Sequence, residues 1–324
     1  MGTNASPWME FPEYRRYEST RQEANNAMMA LLAGSQLAAH TLQLTNGSTR
    51  LLPEIFPAVE HVSYFNLRTD AATQLLLDTG HHLGAVAVPY ALAVHEDFVM
   101  TALDLLTAHG HVRRAPGQSS VTRNNRVSAW NMHEALWMTL GQSAPQHGAL
   151  DCLEHFHLLR LMRNTQIHAG GSISTDLRSH AQSMSQSAEG SWLRIGRRTP
   201  ASVVAGAQLR FTTFDIFAAF ATTKALGRAI NSLLRDSLTP NQWAQMCIQD
   251  YAAMSSKPRG SDQWMRCLVG HAAINYSAGG LTERDVVDAA VASGDWPAGK
   301  AVTPRRAARG SKRQRNRGTR PALP

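Results

Sequence analysis

One short stretch of the chain, Arg163-Asn164-Thr165-Gln166-Ile167-His168, sets groups of complementary chemistry close together. An imidazole has an unperturbed pKa near neutrality, so His168 can take up or release a proton at physiological pH. A guanidinium is a permanent planar charge matched to phosphate oxygens, which is what Arg163 offers. Asn164 can orient a ring or hydrogen-bond an oxyanion. On a helix, with about 100° per residue, Asn164 and His168 share one face, and Arg160 and His157 continue it one and two turns up. Leu153, Leu158, Leu161 and Met162 are then left for a core. Arg163 stands about 140° around from His168 on a regular helix. The two meet only where the helix end unwinds or where a second chain brings in another copy.

Other constellations fall short of a chemistry. His95-Glu96 and His133-Glu134 open like zinc-protease helices, but Val99 and Trp137 stand where the second histidine is needed, so no metal site is expected. In Glu154-His155-Phe156-His157 the two imidazoles point about 200° apart on a helix, which reads as a surface. Glu96 or Asp97, on a helix expected to pack nearby, is a candidate partner for Arg163. Cys152, Cys247 and Cys267 are scattered and have no cationic neighbours to mark a nucleophile. Trp243, Trp264 and Trp296 lie among apolar neighbours and read as packing anchors.

The elements that must carry these residues are helical, since period-two alternation is nearly absent. The patterning predicts helices over 15–46, 68–79 (ending at Gly80), 88–109, 133–140, 150–168, 205–238, 239–254 and 282–292. Ala169-Gly170-Gly171 supplies a stop after His168. Thr239-Pro240-Asn241-Gln242 is a start signal, with Thr282-Glu283-Arg284-Asp285 a looser one. Residues 172–200, rich in Ser, Gln and Arg, read as a long loop. The organisation expected is all-α. A helical extension spans 1–82, a helical bundle 83–238, a small helical subdomain 239–297, and a basic tail too polar to fold alone 298–324.

The stretch Arg163, Asn164, His168 resembles the signature of the HEPN superfamily (higher eukaryotes and prokaryotes nucleotide-binding). That signature is an Arg, four to six residues and a His, with a polar residue directly after the Arg. The resemblance covers the helices from about 88 to 236, roughly half the chain. It implies a four- to five-helix bundle with the motif late in a long internal helix. It also implies a ribonuclease of the toxin or phage-defence kind that needs no metal or other cofactor. His168 would take the proton of a ribose 2′-hydroxyl, Arg163 would hold the phosphate as charge builds, and Asn164 would orient the ring or the phosphate. The product would be a 2′,3′-cyclic phosphate. In the family two protomers usually pair so that both motifs line one cleft, so a homodimer is expected. An inhibitory partner protein would keep such an activity silent.

The net charge of +8 sits in one place. Arg305, Arg306, Arg309, Lys312, Arg313, Arg315, Arg317 and Arg320 are eight basic residues in sixteen, without an acid, whereas residues 1–304 balance 24 basic against 24 acidic residues. Such a tail suits salt-dependent, sequence-independent contact with RNA or DNA, and Arg160 is expected to add a contact from the motif helix. The alternative function is therefore a non-catalytic helical nucleic-acid-binding or regulatory protein. The longest apolar run, Leu83–Val94, has 12 residues and contains Pro89, so no membrane span is expected. The sparse cysteines and the lack of a secretory signal point to the cytoplasm.

Overall fold

The computed structural model describes residues 7–45, 47–64, 66–114, 131–142 and 147–302. Among them no strand forms, and two isolated bridges, Leu51 with Arg68 and Ser172 with Gln208, are the extended pairings. The helices are α1 (Pro12–Gln43), α2 (Leu52–Ile55), α3 (Thr69–Leu77), α4 (Thr79–Ala108), α5 (Met132–Thr139), α6 (His147–His168), α7 (Thr175–Ser183), α8 (Gln186–Gly196), α9 (Pro200–Val203), α10 (Thr213–Ser237), α11 (Pro240–Met254), α12 (Asp262–Asn275) and α13 (Glu283–Ala292). The all-α class is as the patterning predicts.

Three local expectations are corrected. Residues 172–200 are not a loop. Ser174, Ser185 and Thr199 each accept a hydrogen bond from the first turn that follows, of α7, α8 and α9 respectively. Leu177 and Trp192 then anchor the two longer helices in the core. The helix expected to end at Gly80 ends at Leu77, and α4 starts at Thr79 and runs through Gly80, Gly84 and Pro89. Gly84 is required there, because a Cβ would lie 2.5 Å from the Phe211 side chain. Residues 205–212 are not helical: Leu209 N–H donates to the Gly171 carbonyl at 2.7 Å, and the helix begins only after Thr212, whose hydroxyl and N–H both donate to Asp215. Helix α12, capped by Ser261, carries no expectation from the patterning.

The core divides into two clusters that share α4 and α10. One gathers Phe11, Tyr14, Phe98, Leu103, Leu136, Leu234, Trp243, Trp264 and Trp296, drawing together the N-terminal segment, the distal half of α4, α5 and α11–α13. The other gathers Leu92, Phe156, Leu158, Leu159, Met162, Leu177, Trp192, Phe211 and Ile216, around α6 to α9. The three tryptophans taken as packing anchors are buried. Helix α4 packs on α1, α6 and α10, and by length and composition it is also apolar enough to cross a bilayer.

A buried carboxylate of α11, Asp250, ties the start of α1 to α12. Asp250 accepts from both Arg15 guanidinium nitrogens, from His271 Nε2 at 2.8 Å and from the Tyr276 hydroxyl at 3.0 Å. Burial alone would raise its pKa, but the hydrogen bonds from His271 and Arg15 hold it down at about 2. Asn231 pairs with the Met9 backbone in both directions, at 3.0 and 2.8 Å, fixing the entry into α1.

Candidate functional site

Helix α6 stays regular through His168. Ala169 N–H donates to the Thr165 carbonyl at 3.2 Å and Gly171 N–H to the same carbonyl at 3.0 Å, with Gly170 and Gly171 at φ +57° and +87°. The glycine pair ends the helix where the spacing predicts, in conformations that suit glycine. Because the helix does not unwind, Arg163 and His168 of one chain remain on different sides of it.

Each motif residue sits differently. Leu158, Leu159 and Met162 are buried and pin one side of α6 to the core. Arg163 reaches α4, donating from Nη1 to Glu96 Oε1 at 3.0 Å, and its Nε lies 3.3 Å from Asn164 Oδ1. The Arg163 and Glu96 side chains are 18% and 19% exposed, which puts the pair at the rim of the core with one edge toward water. Of the two carboxylates considered as its partner, Glu96 holds Arg163. His168 and Ile167 are exposed on the last turn, and Asn164 is half-buried between.

The upper part of the face is more enclosed. Arg160 lies one turn above Arg163. Burial, and then the like charge of Arg163, push its guanidinium down to about 10, against the pull of Glu96. Burial, then Arg160 and His180, push His157 down to about 4, so it is neutral at physiological pH. Its ring meets the His180 ring of α7 edge to face at 5.9 Å. Helix α7, which the sequence does not announce, thus forms one wall of this face. The surface reading of Glu154 and His155 is corrected as well. His155 is buried and bonds the Ala188 carbonyl at 2.7 Å, and Glu154 accepts from both the N–H and the hydroxyl of Ser185, each at 2.7 Å.

Beneath this face lies a polar chain that spacing along the sequence does not reveal. The Tyr17 hydroxyl donates to the Thr223 carbonyl at 2.6 Å and sits 3.0 Å from His95 Nδ1, and His95 Nε2 lies 2.8 Å from His133 Nε2. A hydroxyl that spends its proton on Thr223 must accept from His95, so the tautomers follow: His95 carries its proton on Nδ1 and His133 on Nε2. His133 Nδ1 is left as a buried lone pair without a hydrogen-bond partner among the described residues. Phe156 sits edge-on to both rings, and Gly227 lets Tyr17 approach α10, since a Cβ there would lie 2.3 Å from the ring. Burial drives His95 down to about 3; burial, then His95, His157 and Arg160, drive His133 well below its ordinary value. Both imidazoles are neutral.

Among the described residues no three metal-capable side chains gather at one point, and Cys152, Cys247 and Cys267 are free. The basic residues Arg305, Arg306, Arg309, Lys312, Arg313, Arg315, Arg317 and Arg320 lie outside the described residues. Comparison of the chain with protein-family models, curated proteins and solved structures gave no match.

Proposed function

We propose that this protein is a metal-independent endoribonuclease of the toxin or phage-defence type, acting in the cytoplasm as a homodimer. The observation that carries the reading is the end of α6. A guanidinium is held at the core rim by Glu96, an amide sits beside it, and an exposed imidazole occupies the last turn before a glycine stop. With the helix regular, the Arg163 of one chain and the His168 of the same chain do not face a common point. Two α6 ends brought together supply an imidazole and a guanidinium to one phosphodiester. His168 takes the 2′-hydroxyl proton, the 2′-oxygen attacks phosphorus, and the 5′-oxygen leaves, giving a 2′,3′-cyclic phosphate. Arg163 holds the phosphate oxygens as negative charge builds, using the donors that Glu96 leaves over. The basic tail raises the local concentration of RNA without choosing a sequence. An inhibitory partner protein fits this reading, since an unpartnered ribonuclease harms its own cell.

The test is incubation of RNA with the purified protein in EDTA, beside Arg163→Ala and His168→Ala. The expected result is cleavage by the wild type to cyclic-phosphate ends, and its loss in both variants. Cleavage that requires a divalent cation, or that survives both substitutions, overturns the mechanism.

A second reading, a non-catalytic nucleic-acid-binding or regulatory protein, draws on the same Arg163–Glu96 contact. An interhelical ion pair at a core rim also serves simply to orient two helices. Binding of RNA or DNA without turnover, lost on removing residues 305–324, favours this reading.

A further inference from the structure

Of the two carboxylates considered as partners for Arg163, Asp97 is left over. It stands about 100° around α4 from Glu96, turned toward α1. There Ala93, Asp97 and Thr101, spaced at four residues, line one side of a groove of about 310 Å³, and Glu13, Tyr17 and Thr20 of α1 line the other. Its inner wall is apolar. The Tyr17 and Phe98 rings stack at 4.3 Å, spending their faces on each other, and the Tyr17 hydroxyl is turned into the core toward Thr223. Recognition in the groove therefore falls to its charged groups. Glu13 Oε2 is shut off from water and accepts no hydrogen bond among the described residues. The place of Glu13 in the first turn of α1 favours a negative charge but supplies that oxygen with no donor. Among the described residues neither Glu13 nor Asp97 has an ion-pair partner; the exposed Arg16, which also lines the groove, pairs with neither.

A carboxylate oxygen enclosed without a donor is costly, and a charged N–H relieves that cost. Two carboxylates offer too few oxygens for a calcium ion, and no third metal-capable side chain joins them among the described residues. An organic cation fits better. Its N–H groups meet the carboxylates, and an apolar body lies along Val94, Phe98 and Tyr17. Arg16 opposes a second positive charge on the same ligand. We infer that the groove between α1 and α4 binds a small organic ammonium, a monoamine with an apolar body, whose nitrogen donates to Glu13 and is attracted by Asp97. The site stands apart from the ribonuclease reading and needs no RNA.

The experiment titrates the full chain at neutral pH with three probes of one shape, phenethylamine, 2-phenylethanol and phenylacetate, and follows binding by NMR. The wild type is expected to bind phenethylamine about 10-fold tighter than 2-phenylethanol, the scale of one hydrogen bond to a charged group, and phenylacetate most weakly. Glu13→Gln keeps the size and removes the charge, and should erase the preference for amine over alcohol. Asp97→Asn, at an exposed position, should reduce it by about 2- to 5-fold. The ratio of the two probes is the readout, because a partly unfolded variant loses both alike. A wild type that binds none of the probes, or binds the alcohol as tightly as the amine, overturns the site, as does a preference that survives Glu13→Gln. Where Glu13→Gln loses both probes, Asp97→Asn decides, and an unchanged ratio there overturns the site as well.

Discussion

Among the places where this molecule uses histidine, the core pair and the end of α6 are opposites. At the centre, His95 uses both ring nitrogens, one on Tyr17 and one on His133, in a setting closed by Phe156. At the end of α6, His168 is exposed on the last turn, beside a helix stop. The first is neutral, positioned on two sides and held in the core, and such groups stabilise a particular packing. The second is able to meet a substrate or another chain. The contrast teaches that enclosure and chemical availability divide between histidines on neighbouring helices. Glu96 stands directly after His95, so the central pair fixes α4 where the carboxylate that holds Arg163 leaves it.

The contrast breaks first, and hardest, at the centre. His95→Ala removes a buried ring and strands a hydrogen-bonding group on either side, so a loss of about 3–5 kcal/mol in unfolding free energy is expected by urea denaturation. A loss below about 1 kcal/mol would mean that the pair contributes little to the packing. Acid sharpens the same point. In the native state His95 and His133 resist protonation, whereas the unfolded chain takes up protons near pH 6.5. Stability from these groups is therefore complete above about pH 6.5 and declines as the pH falls below it. His133→Gln should flatten that decline by about 1.4 kcal/mol per pH unit, the contribution of one proton. An unchanged slope in the variant contradicts the neutral assignment. The smallest stability effect belongs to the exposed end. His168→Ala should alter unfolding free energy by no more than about 0.5 kcal/mol while lowering RNA cleavage by about 10²- to 10⁴-fold. A large stability loss there would mark His168 as structural.

The sequence makes α6 and its stop legible because apolar residues recur at helical steps and Gly170-Gly171 admits positive φ. Helices α11 and α13 announce themselves through Thr239 and Thr282, both of which cap as their spacing suggests. Helices α7 and α8 stay hidden because each buries few side chains, Leu177 and Ala181 in one and Ala188 and Trp192 in the other, and their serine caps resemble loop residues. The continuity of α4 hides for a different reason: Gly80 looks like a stop, and only Thr213, from the far side of the chain, explains it as a close approach. The candidate site divides similarly. The shared face of Asn164 and His168 is local, and Glu96 could be named because it lies on a helix expected nearby. The His95–His133 pair joins α4 to α5 across 38 residues, so no local spacing encodes it. Inspected as sequence, those two histidines show only what they lack, a second histidine at metal-binding distance.

The central claim is that an imidazole and a guanidinium from paired subunits serve one phosphodiester. Its most direct test is subunit mixing in EDTA. Arg163→Ala and His168→Ala proteins, each inactive alone, are combined and assayed on RNA. The account predicts that the mixture recovers cleavage, because a mixed dimer rebuilds one composite site from the intact His168 of one chain and the intact Arg163 of the other. A mixture as inactive as its parents, when wild-type protein cleaves under the same conditions, would contradict it.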